Sequence, residues 1–232
     1  MSGLRVQDVT VTRGAGPVIR DVTLTLAPGR ITALVGPNGA GKTSLLEAIS
    51  GVVPTAAGSV HIGDTEITKH SRVARAKQGL AHIEQGRAVF PGLTVMENLK
   101  LTARTWPRVE EVLALFPELD KRRNSPTALL SGGEQQMVVL ARAFAARPKF
   151  LLIDEMSLGL APVVFTRLLP MVTRFAEEGA AILLVEQFTH LALGVAQDAL
   201  VVSSGRVTYQ GDAQELLGSP ETLHHAYLGE SA

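Results

Sequence analysis

Cysteine is absent from this sequence of 232 residues. That absence excludes a disulfide framework, a thiolate metal site and a cysteine nucleophile. Hydrophobic residues make up 46% of the chain, which is enough to build a substantial core. We therefore expect one folded domain over residues 1–232 rather than a disordered chain.

An excess of charge of either sign is also missing. The chain has 22 basic and 22 acidic residues, so its net charge is zero. Proteins that bind nucleic acid usually present a basic stripe, and the sequence shows none. We expect no nucleic-acid partner.

Long apolar runs are the third absence. The longest, such as residues 180–185, fall far short of the roughly 20 residues that span a bilayer. Residues 1–5 lack the apolar segment of a signal peptide. We expect a cytoplasmic protein, and if it acts at a membrane, other chains must do the spanning.

The most informative segment present is residues 36–43, Gly-Pro-Asn-Gly-Ala-Gly-Lys-Thr. It fits the phosphate-binding P-loop pattern, with an apolar strand before it and a helix after it. Glycines let backbone N–H groups form a concave anion site, and the helix N-terminus adds partial positive charge. Lys42 is then placed to contact the terminal phosphates, and the Thr43 hydroxyl to ligate Mg²⁺. The predicted nucleotide-binding residues here are Gly36, Pro37, Asn38, Gly39, Ala40, Gly41, Lys42, Thr43 and Ser44.

A pair of acidic residues, Asp154 and Glu155, follows the apolar strand at residues 150–153. Asp154 can hold Mg²⁺, and Glu155 can polarise the attacking water as a general base. On its own, such a pair could equally cap a helix. Its place downstream of a P-loop favours the catalytic interpretation.

A third element is residues 130–136, Leu-Ser-Gly-Gly-Glu-Gln-Gln. Two glycines and a serine at the start of a helix form another anion site, which predicts nucleotide contacts from Ser131, Gly132 and Gly133. The string resembles the signature motif of ATP-binding cassette (ABC) ATPases. Together with the P-loop it extends the resemblance to essentially the whole chain.

The resemblance implies an α/β P-loop NTPase with a RecA-like core that binds ATP and Mg²⁺. In that family two cassettes pair head to tail, with ATP between the P-loop of one and the signature loop of the other. A second ABC ATPase subunit, in a homodimer or a heterodimer, is therefore an expected partner. Gln85 matches the Q-loop glutamine that senses Mg²⁺ and the γ-phosphate, and residues 157–161 match the D-loop of the dimer interface.

Three positions depart from the family pattern. Gln187 occupies the switch position, where histidine is usual, and can still hydrogen-bond the γ-phosphate. His190 is better explained as a helix-surface residue than as its replacement. Arg13 lies near the place of the usual adenine-stacking aromatic, and its guanidinium plane could stack instead. Met156 stands where proline is typical, with a small local effect expected.

Periodicity predicts the layout around these motifs. Alternating residues 4–12 and 21–26, with a hairpin at 59–67, predict an antiparallel β-subdomain. Residues 86–135, approximately, are helical in pattern and broken by prolines, which predicts an inserted helical subdomain. Apolar runs at 150–153 and 181–185 are typical of buried parallel strands.

Several strings resemble one branch of the family, the LivF-type ATPase subunits of branched-chain amino acid importers. They are Gln85-Gly86-Arg87, residues 89–99, residues 115–124, residues 157–162 and residues 184–187. The last string contains the switch glutamine, which makes the missing histidine a trait of the branch. Residues 101–109 are shorter than is usual there.

We therefore expect an ATP-binding and ATP-hydrolysing subunit of an ABC importer for branched-chain or other hydrophobic amino acids. Its expected partners are membrane permease subunits and, indirectly, a substrate-binding protein, at the cytoplasmic face of the membrane. Urea or short-amide import is a close alternative. A soluble ABC ATPase of DNA maintenance would need long coiled-coil insertions, and no heptad run is present. A small-molecule kinase would not need residues 130–136, and intact Lys42, Asp154 and Glu155 argue against a non-catalytic regulatory cassette.

Overall fold

The computed structural model describes residues 3–14, 16–86, 88–103 and 105–230. Its strands are β1 (Leu4–Arg13), β2 (Gly16–Leu26), β3 (Ile31–Val35), β4 (Ala57–Ile62), β5 (Thr65–Glu66), β6 (Leu80–Ile83), β7 (Phe150–Asp154), β8 (Ala181–Val185), β9 (Asp198–Ser203) and β10 (Arg206–Asp212). Its helices are α1 (Lys42–Ser50), α2 (Arg72–Lys77), α3 (Val95–Lys100), α4 (Trp106–Leu115), α5 (Pro117–Asp120), α6 (Gly132–Ala146), α7 (Pro162–Glu177), α8 (Thr189–Val195), α9 (Ala213–Leu217) and α10 (Pro220–Leu228). A 3₁₀ turn covers Thr127–Leu129.

A six-stranded sheet in the order β10-β9-β3-β8-β7-β6 forms the centre of the molecule. The neighbours from β9 to β6 pair in parallel, and β10 joins the edge antiparallel. Every residue of β3, β7 and β8 is buried, as expected for parallel strands covered on both faces. Because the carboxyl ends of parallel strands meet at one edge, the loops after β3, β6, β7 and β8 lie together there.

The two faces of this sheet pack against different elements. Ile182 and Leu184 of β8 join a cluster that includes Phe165 and Leu168 of α7. Their neighbours on β8 join a second cluster, which includes Leu45 and Leu46 of α1. Alternate residues of a strand point to opposite faces, so one short apolar strand serves both clusters. The predicted α/β arrangement is therefore present.

A second sheet is antiparallel, in the order β2-β1-β4-β5. In β1 the next buried residue after Val6 is Val9, three positions on, which breaks the alternation of a regular strand. The register of β1 shifts between these two residues, and Asp8 between them has a φ of 48°. A bulge at Asp8 thus returns Val9 to the buried face. The predicted antiparallel β-region is present, with longer strands than the pattern predicted.

Helices α3, α4 and α5 and the 3₁₀ turn occupy residues 95–129, within the region predicted to be helical. Thr94 begins α3 with a capping box, and prolines stand in the first turns of α4 and α5. Asn98 is fully buried and donates to the carbonyl oxygens of Phe90 and Leu93 at 3.1 and 3.3 Å. It therefore fixes the irregular segment that precedes α3. No helix within the described ranges is long and apolar enough to cross a membrane.

Candidate functional site

The loop between β3 and α1 has backbone dihedrals that only glycine adopts freely. Gly36, Gly39 and Gly41 have φ values of 146°, 78° and 99°. A Cβ on Gly41 would lie 2.5 Å from the carbonyl oxygen of Val18, and a Cβ on Gly36 would overlap that of Val202. The predicted P-loop is thus held closely between β2 and β9. Its conformation cannot be kept with side chains at these glycines.

Lys42 is almost fully buried at the start of α1, with 5% of its surface exposed. Its Nζ donates to the carbonyl oxygens of Gly36 and Pro37 at 2.9 and 3.0 Å. Burial lowers the pKa of Lys42, and the nearby carboxylates of Glu155 and Asp154 oppose that change. The ammonium group is therefore held by two carbonyl oxygens of the P-loop itself.

Asp154 ends β7 beside Thr43 of the P-loop and is 1% exposed. Burial raises the pKa of Asp154 to about 6, while the hydrogen bond from Thr43 lowers it. Its Oδ1 atom is buried and has no hydrogen-bond partner among the residues that the structure describes. Hard cations such as Mg²⁺ prefer carboxylate and hydroxyl oxygens, so the orphaned oxygen beside Thr43 fits the predicted metal. Gln85 was also predicted to sense the metal, and its side-chain amide donates a hydrogen bond to Glu155 at 2.9 Å.

Glu155 is the point at which three loops meet. Its Oε2 atom accepts hydrogen bonds from the side-chain amides of Gln85 and Gln187, at 2.9 and 3.0 Å. These residues follow β6, β7 and β8, so adjacent parallel strands deliver them to one place. Glu155 itself has a φ of 45°, a conformation that is unfavourable for a side-chain-bearing residue and concentrates at functional sites.

A cavity of about 400 Å³ lies above these residues. Predicted site residues form most of its lining: Asn38, Gly39, Gly41, Lys42, Thr43, Ser44, Gln85, Glu155 and Gln187. Val18 of β2 also lines it and was not predicted, because only its contact with the P-loop places it there. The cavity has the polar lining and the cationic group that a polyphosphate needs.

Other predicted residues lie away from that lining. Arg13 forms an ion pair with Glu47 of α1, so its guanidinium is already engaged. The role of Arg13 in stacking on adenine stays a prediction. Arg87 of the predicted Gln85-Gly86-Arg87 string lies outside the described residues. His190 is exposed on α8, as predicted.

The predicted signature residues begin α6 at the surface. Ser131 is exposed and caps the helix: its Oγ accepts the Glu134 N–H, and Glu134 Oε2 accepts the Ser131 N–H at 2.8 Å. A Cβ on Gly133 would lie 2.6 Å from the Val164 side chain, which explains a glycine there. Ser131, Gly132 and Gly133 do not line the cavity of their own chain. Within one chain, the predicted signature contacts therefore lie apart from the predicted P-loop contacts.

Glu186, which follows β8 directly, was not predicted to matter. It is 1% exposed, and its carboxylate accepts hydrogen bonds from the Ser157 hydroxyl and, at 3.3 Å, from the Ser157 N–H. Burial raises the pKa of Glu186 to about 7, against the lowering effect of those hydrogen bonds. The only signal in the sequence is an acidic residue at the end of a buried strand.

Comparison with known proteins identifies the family to which this chain belongs. A sequence model described as ABC transporter matches residues 19–157. The chain belongs to the ABC transporter ATPase family. The predicted family is confirmed, and with it the ATP-hydrolysing activity.

The chain is 34% identical to the high-affinity branched-chain amino acid transport ATP-binding protein BraG of Pseudomonas aeruginosa, over 97% of this chain and 99% of that protein. It is 37% identical to a probable branched-chain amino acid transport ATP-binding protein, LivF, of Archaeoglobus fulgidus, over 86% and 88% of the two chains. It is also 33% identical to the lipopolysaccharide export system ATP-binding protein LptB of Escherichia coli K12, over 92% and 91%. The resemblance to the branched-chain amino acid branch is confirmed, and a relative with a different cargo is nearly as similar.

A solved structure supports the fold independently. The ADP conformation of MJ1267, an ATP-binding cassette of an ABC transporter, superposes with a TM-score of 0.87 at 23% identity, covering 99% of this chain and 100% of that one. The predicted fold class is confirmed. This ABC ATPase is a transporter subunit of the kind that dimerises and works with membrane permease components.

Proposed function

We propose that this ABC ATPase powers the import of branched-chain or other hydrophobic amino acids through a membrane permease. The observation that carries the proposal is the meeting of Gln85, Gln187 and Glu155 at one carboxylate oxygen. The contact supports the proposed roles, because Gln187, assigned to the switch position, reaches the carboxylate that we assign as the general base. The cargo is inferred from the similarity to the two branched-chain amino acid transport proteins.

In the proposed mechanism the P-loop backbone holds the phosphates of ATP, and Lys42 exchanges its carbonyl contacts for phosphate oxygens. Asp154 and Thr43 would hold Mg²⁺, which supplies charge neutralisation at the phosphates when bound. Glu155 accepts the proton of the attacking water. The amides of Gln85 and Gln187 orient that carboxylate, and Gln187 is positioned to contact the γ-phosphate.

The proposed active site is completed by a second cassette. Ser131 and Gly132 lie at the surface at the start of α6, where the partial positive charge of the helix attracts an anion, and Gly133 is buried beside them. From the partner, these residues would cover the γ-phosphate that one P-loop leaves open. The D-loop, residues 157–161, would cross the same interface, with Leu158 47% exposed.

The proposed permease-binding face lies on the helical region, residues 86–135 approximately, which we propose as a subdomain. Four large apolar side chains in the described part of this region are exposed: Phe90 at 49%, Leu101 at 52%, Trp106 at 49% and Leu129 at 77%. Arg142 of α6 stacks on Phe90, 5.0 Å from its ring centroid, and so holds that ring at the surface. Such side chains fit an apolar partner surface. The subunit would then sit peripherally on the cytoplasmic face of the membrane.

An affinity pull-down of the chain from gently solubilised native membranes tests the importer. We expect two polytopic permeases and a second cassette ATPase, identified by mass spectrometry. The substrate-binding protein encoded beside them should bind leucine, isoleucine or valine in a calorimetric titration. Recovery of soluble proteins alone would contradict the transport role.

The second candidate is the ATPase of a lipopolysaccharide exporter, favoured by the 33% identity to LptB. For an exporter, the pull-down should recover permeases without any substrate-binding protein.

The calorimetric titration of the substrate-binding protein distinguishes a urea or short-amide importer, whose binding protein would bind urea or acetamide in place of leucine.

A further inference from the structure

A buried carboxylate lies directly behind the catalytic residues. Glu186 is 1% exposed, and the mechanism above does not use it. The groups that hold it are hydrogen-bond donors without charge: the hydroxyl and N–H of Ser157 and the N–H of Gln187. Burying a carboxyl group on neutral donors is costly, so its contacts deserve a functional explanation.

Glu186 and Gln187 form two parallel cross-links between the ends of β7 and β8. Gln187 is exposed and lines the cavity, whereas Glu186 is buried. Gln187 bonds Glu155, and Glu186 bonds Ser157, two residues further along the same loop. A backbone hydrogen bond of 2.9 Å from Glu155 N–H to the Val185 carbonyl runs between them.

Ser157 is also the last buried residue before an exposed loop. It is 5% exposed, whereas the next residue, Leu158, is 47% exposed. The loop therefore leaves the core immediately beyond the contact with Glu186. At its N-terminal end, the loop of residues 158–161 is therefore joined to the core through a residue that Glu186 holds.

We infer that Glu186 is a positioning residue that, through Ser157, fixes Gln187 relative to Glu155 and ties this pair to the loop of residues 157–161. The inference rests on the proposed roles of Glu155 and Gln187. A shift of that loop by a second cassette would then be transmitted through a buried link to the switch glutamine. Hydrolysis would depend on the link, while nucleotide binding at the P-loop would not.

The first test compares Glu186→Leu with Glu186→Gln in steady-state ATP hydrolysis by the full-length chain. Leucine nearly keeps the volume but removes the acceptor oxygens. Glutamine keeps a carbonyl oxygen for the Ser157 N–H and an amide for the hydroxyl oxygen. We expect Glu186→Leu to lower kcat about tenfold, with the KM for ATP within about twofold, and Glu186→Gln to stay within about threefold in kcat.

A second pair of variants tests the link from its other end. Ser157→Ala should lower kcat roughly threefold or more, and adding it to Glu186→Leu should cause no further loss, because the link is already absent. Ser203→Ala is the matched control. Ser203 is equally buried at 5% exposure and donates to the Tyr227 carbonyl at 2.9 Å, and its loss should leave kcat unchanged.

Three results would overturn the inference: parental kcat in Glu186→Leu, losses that multiply in the double variant, or a loss in Glu186→Gln as large as in Glu186→Leu. If Glu186→Leu does not fold, Ser157→Ala decides, since parental kcat there would also refute the link. Glu155→Gln in the same assay distinguishes the general-base role of Glu155 from the positioning role of Glu186. Parental activity in Glu155→Gln refutes the general base itself, whereas an inactive Glu155→Gln beside an unaffected Glu186→Leu refutes only the role of Glu186.

Discussion

Glu155 combines a left-handed backbone conformation, φ 45°, with a carboxylate that accepts two amide N–H groups. Hydrogen bonds to one oxygen of a carboxylate also fix the direction of the other oxygen. In the proposed mechanism that second oxygen, Oε1, accepts the proton of the attacking water. The strained backbone and the two amides both support the proposed general base, because its carboxylate must be held in a fixed orientation.

Glu155→Gln should stop hydrolysis while leaving ATP binding intact. Loss of a general base typically costs a factor of about 10² to 10⁴ in rate. An ATP-bound dimer should then accumulate, and size-exclusion chromatography with and without ATP would detect it. Hydrolysis at the parental rate in the presence of partner subunits would refute the assignment.

The raised pKa of Glu186 makes the stability of the nucleotide-free protein depend on pH. Its pKa rises from 4.5 in the unfolded chain to about 7 in the fold, so between these values the folded state holds a proton that the unfolded chain has lost. This contribution to stability is complete below about pH 4.5 and is lost as the pH rises through about 7. The pKa of Asp154, raised to about 6, gives the free energy of unfolding a pH dependence of the same sign. This contribution is the same in the parent and in a Glu186 variant, so it cancels when the two are compared.

Glu186→Gln should therefore flatten the pH profile of the free energy of unfolding. Above about pH 7 the variant should exceed the parent by up to roughly 3–4 kcal/mol, because each pKa unit corresponds to about 1.4 kcal/mol. Urea unfolding between about pH 5 and pH 8 measures the difference. Parallel profiles for the two proteins would show that Glu186 does not titrate in this range.

At the scale of elements, the P-loop helix α1 is anchored at its carboxyl end by Arg75. This side chain is 2% exposed, and its Nη1 donates to the carbonyl oxygens of Ala48 and Ile49 at 2.7 and 2.6 Å. Two further carbonyls, of Thr68 and His70, accept from Nη2 and Nε. A cation at a helix C-terminus also interacts favourably with the partial negative charge that the helix dipole places there.

Arg75→Met should lower the free energy of unfolding by about 3 kcal/mol, because several buried carbonyl oxygens lose their donor. Arg72→Met is the control: Arg72 starts the same helix, α2, but is exposed and pairs with the exposed Glu84. Its effect should be within about 0.5 kcal/mol. Equal melting temperatures for the two variants would contradict the anchoring role.

Elements with a strong local signal could be predicted from the sequence, and others could not. The P-loop with its strand and helix, and the apolar strands β7 and β8, follow from a motif and from continuous burial. The first half of β2 was missed, because Asp21 takes a φ of 52° and interrupts the alternation that reveals a strand. The Glu186–Ser157 link was missed because it joins residues that only the pairing of β7 with β8 brings together.

For the whole molecule, the arrangement divides the predicted nucleotide contacts into two groups. Lys42, Gln85, Glu155 and Gln187 line one cavity, whereas Ser131 and its glycines lie outside it. The sequence predicted both groups as nucleotide contacts, and only the family resemblance assigned them to different chains. Spatial separation within one chain is what such a shared site requires.

Mixing two inactive variants tests that division. Lys42→Ala removes the phosphate-binding cation, and Ser131→Arg places a bulky side chain on the exposed signature loop. Each variant alone should be inactive if copies of the chain pair with one another. A mixed dimer keeps one site with an intact P-loop from one chain and an intact signature loop from the other.

With random pairing, about half of the dimers are mixed and each has one of two sites intact, so roughly a quarter of the parental ATPase activity should return. Pairing itself is established first by the ATP-dependent dimer of Glu155→Gln. Copies that pair but show no recovery would mean that the signature loop acts within its own chain. That result would contradict the geometry, because Ser131 caps its helix at the surface while the cavity opens beside Lys42.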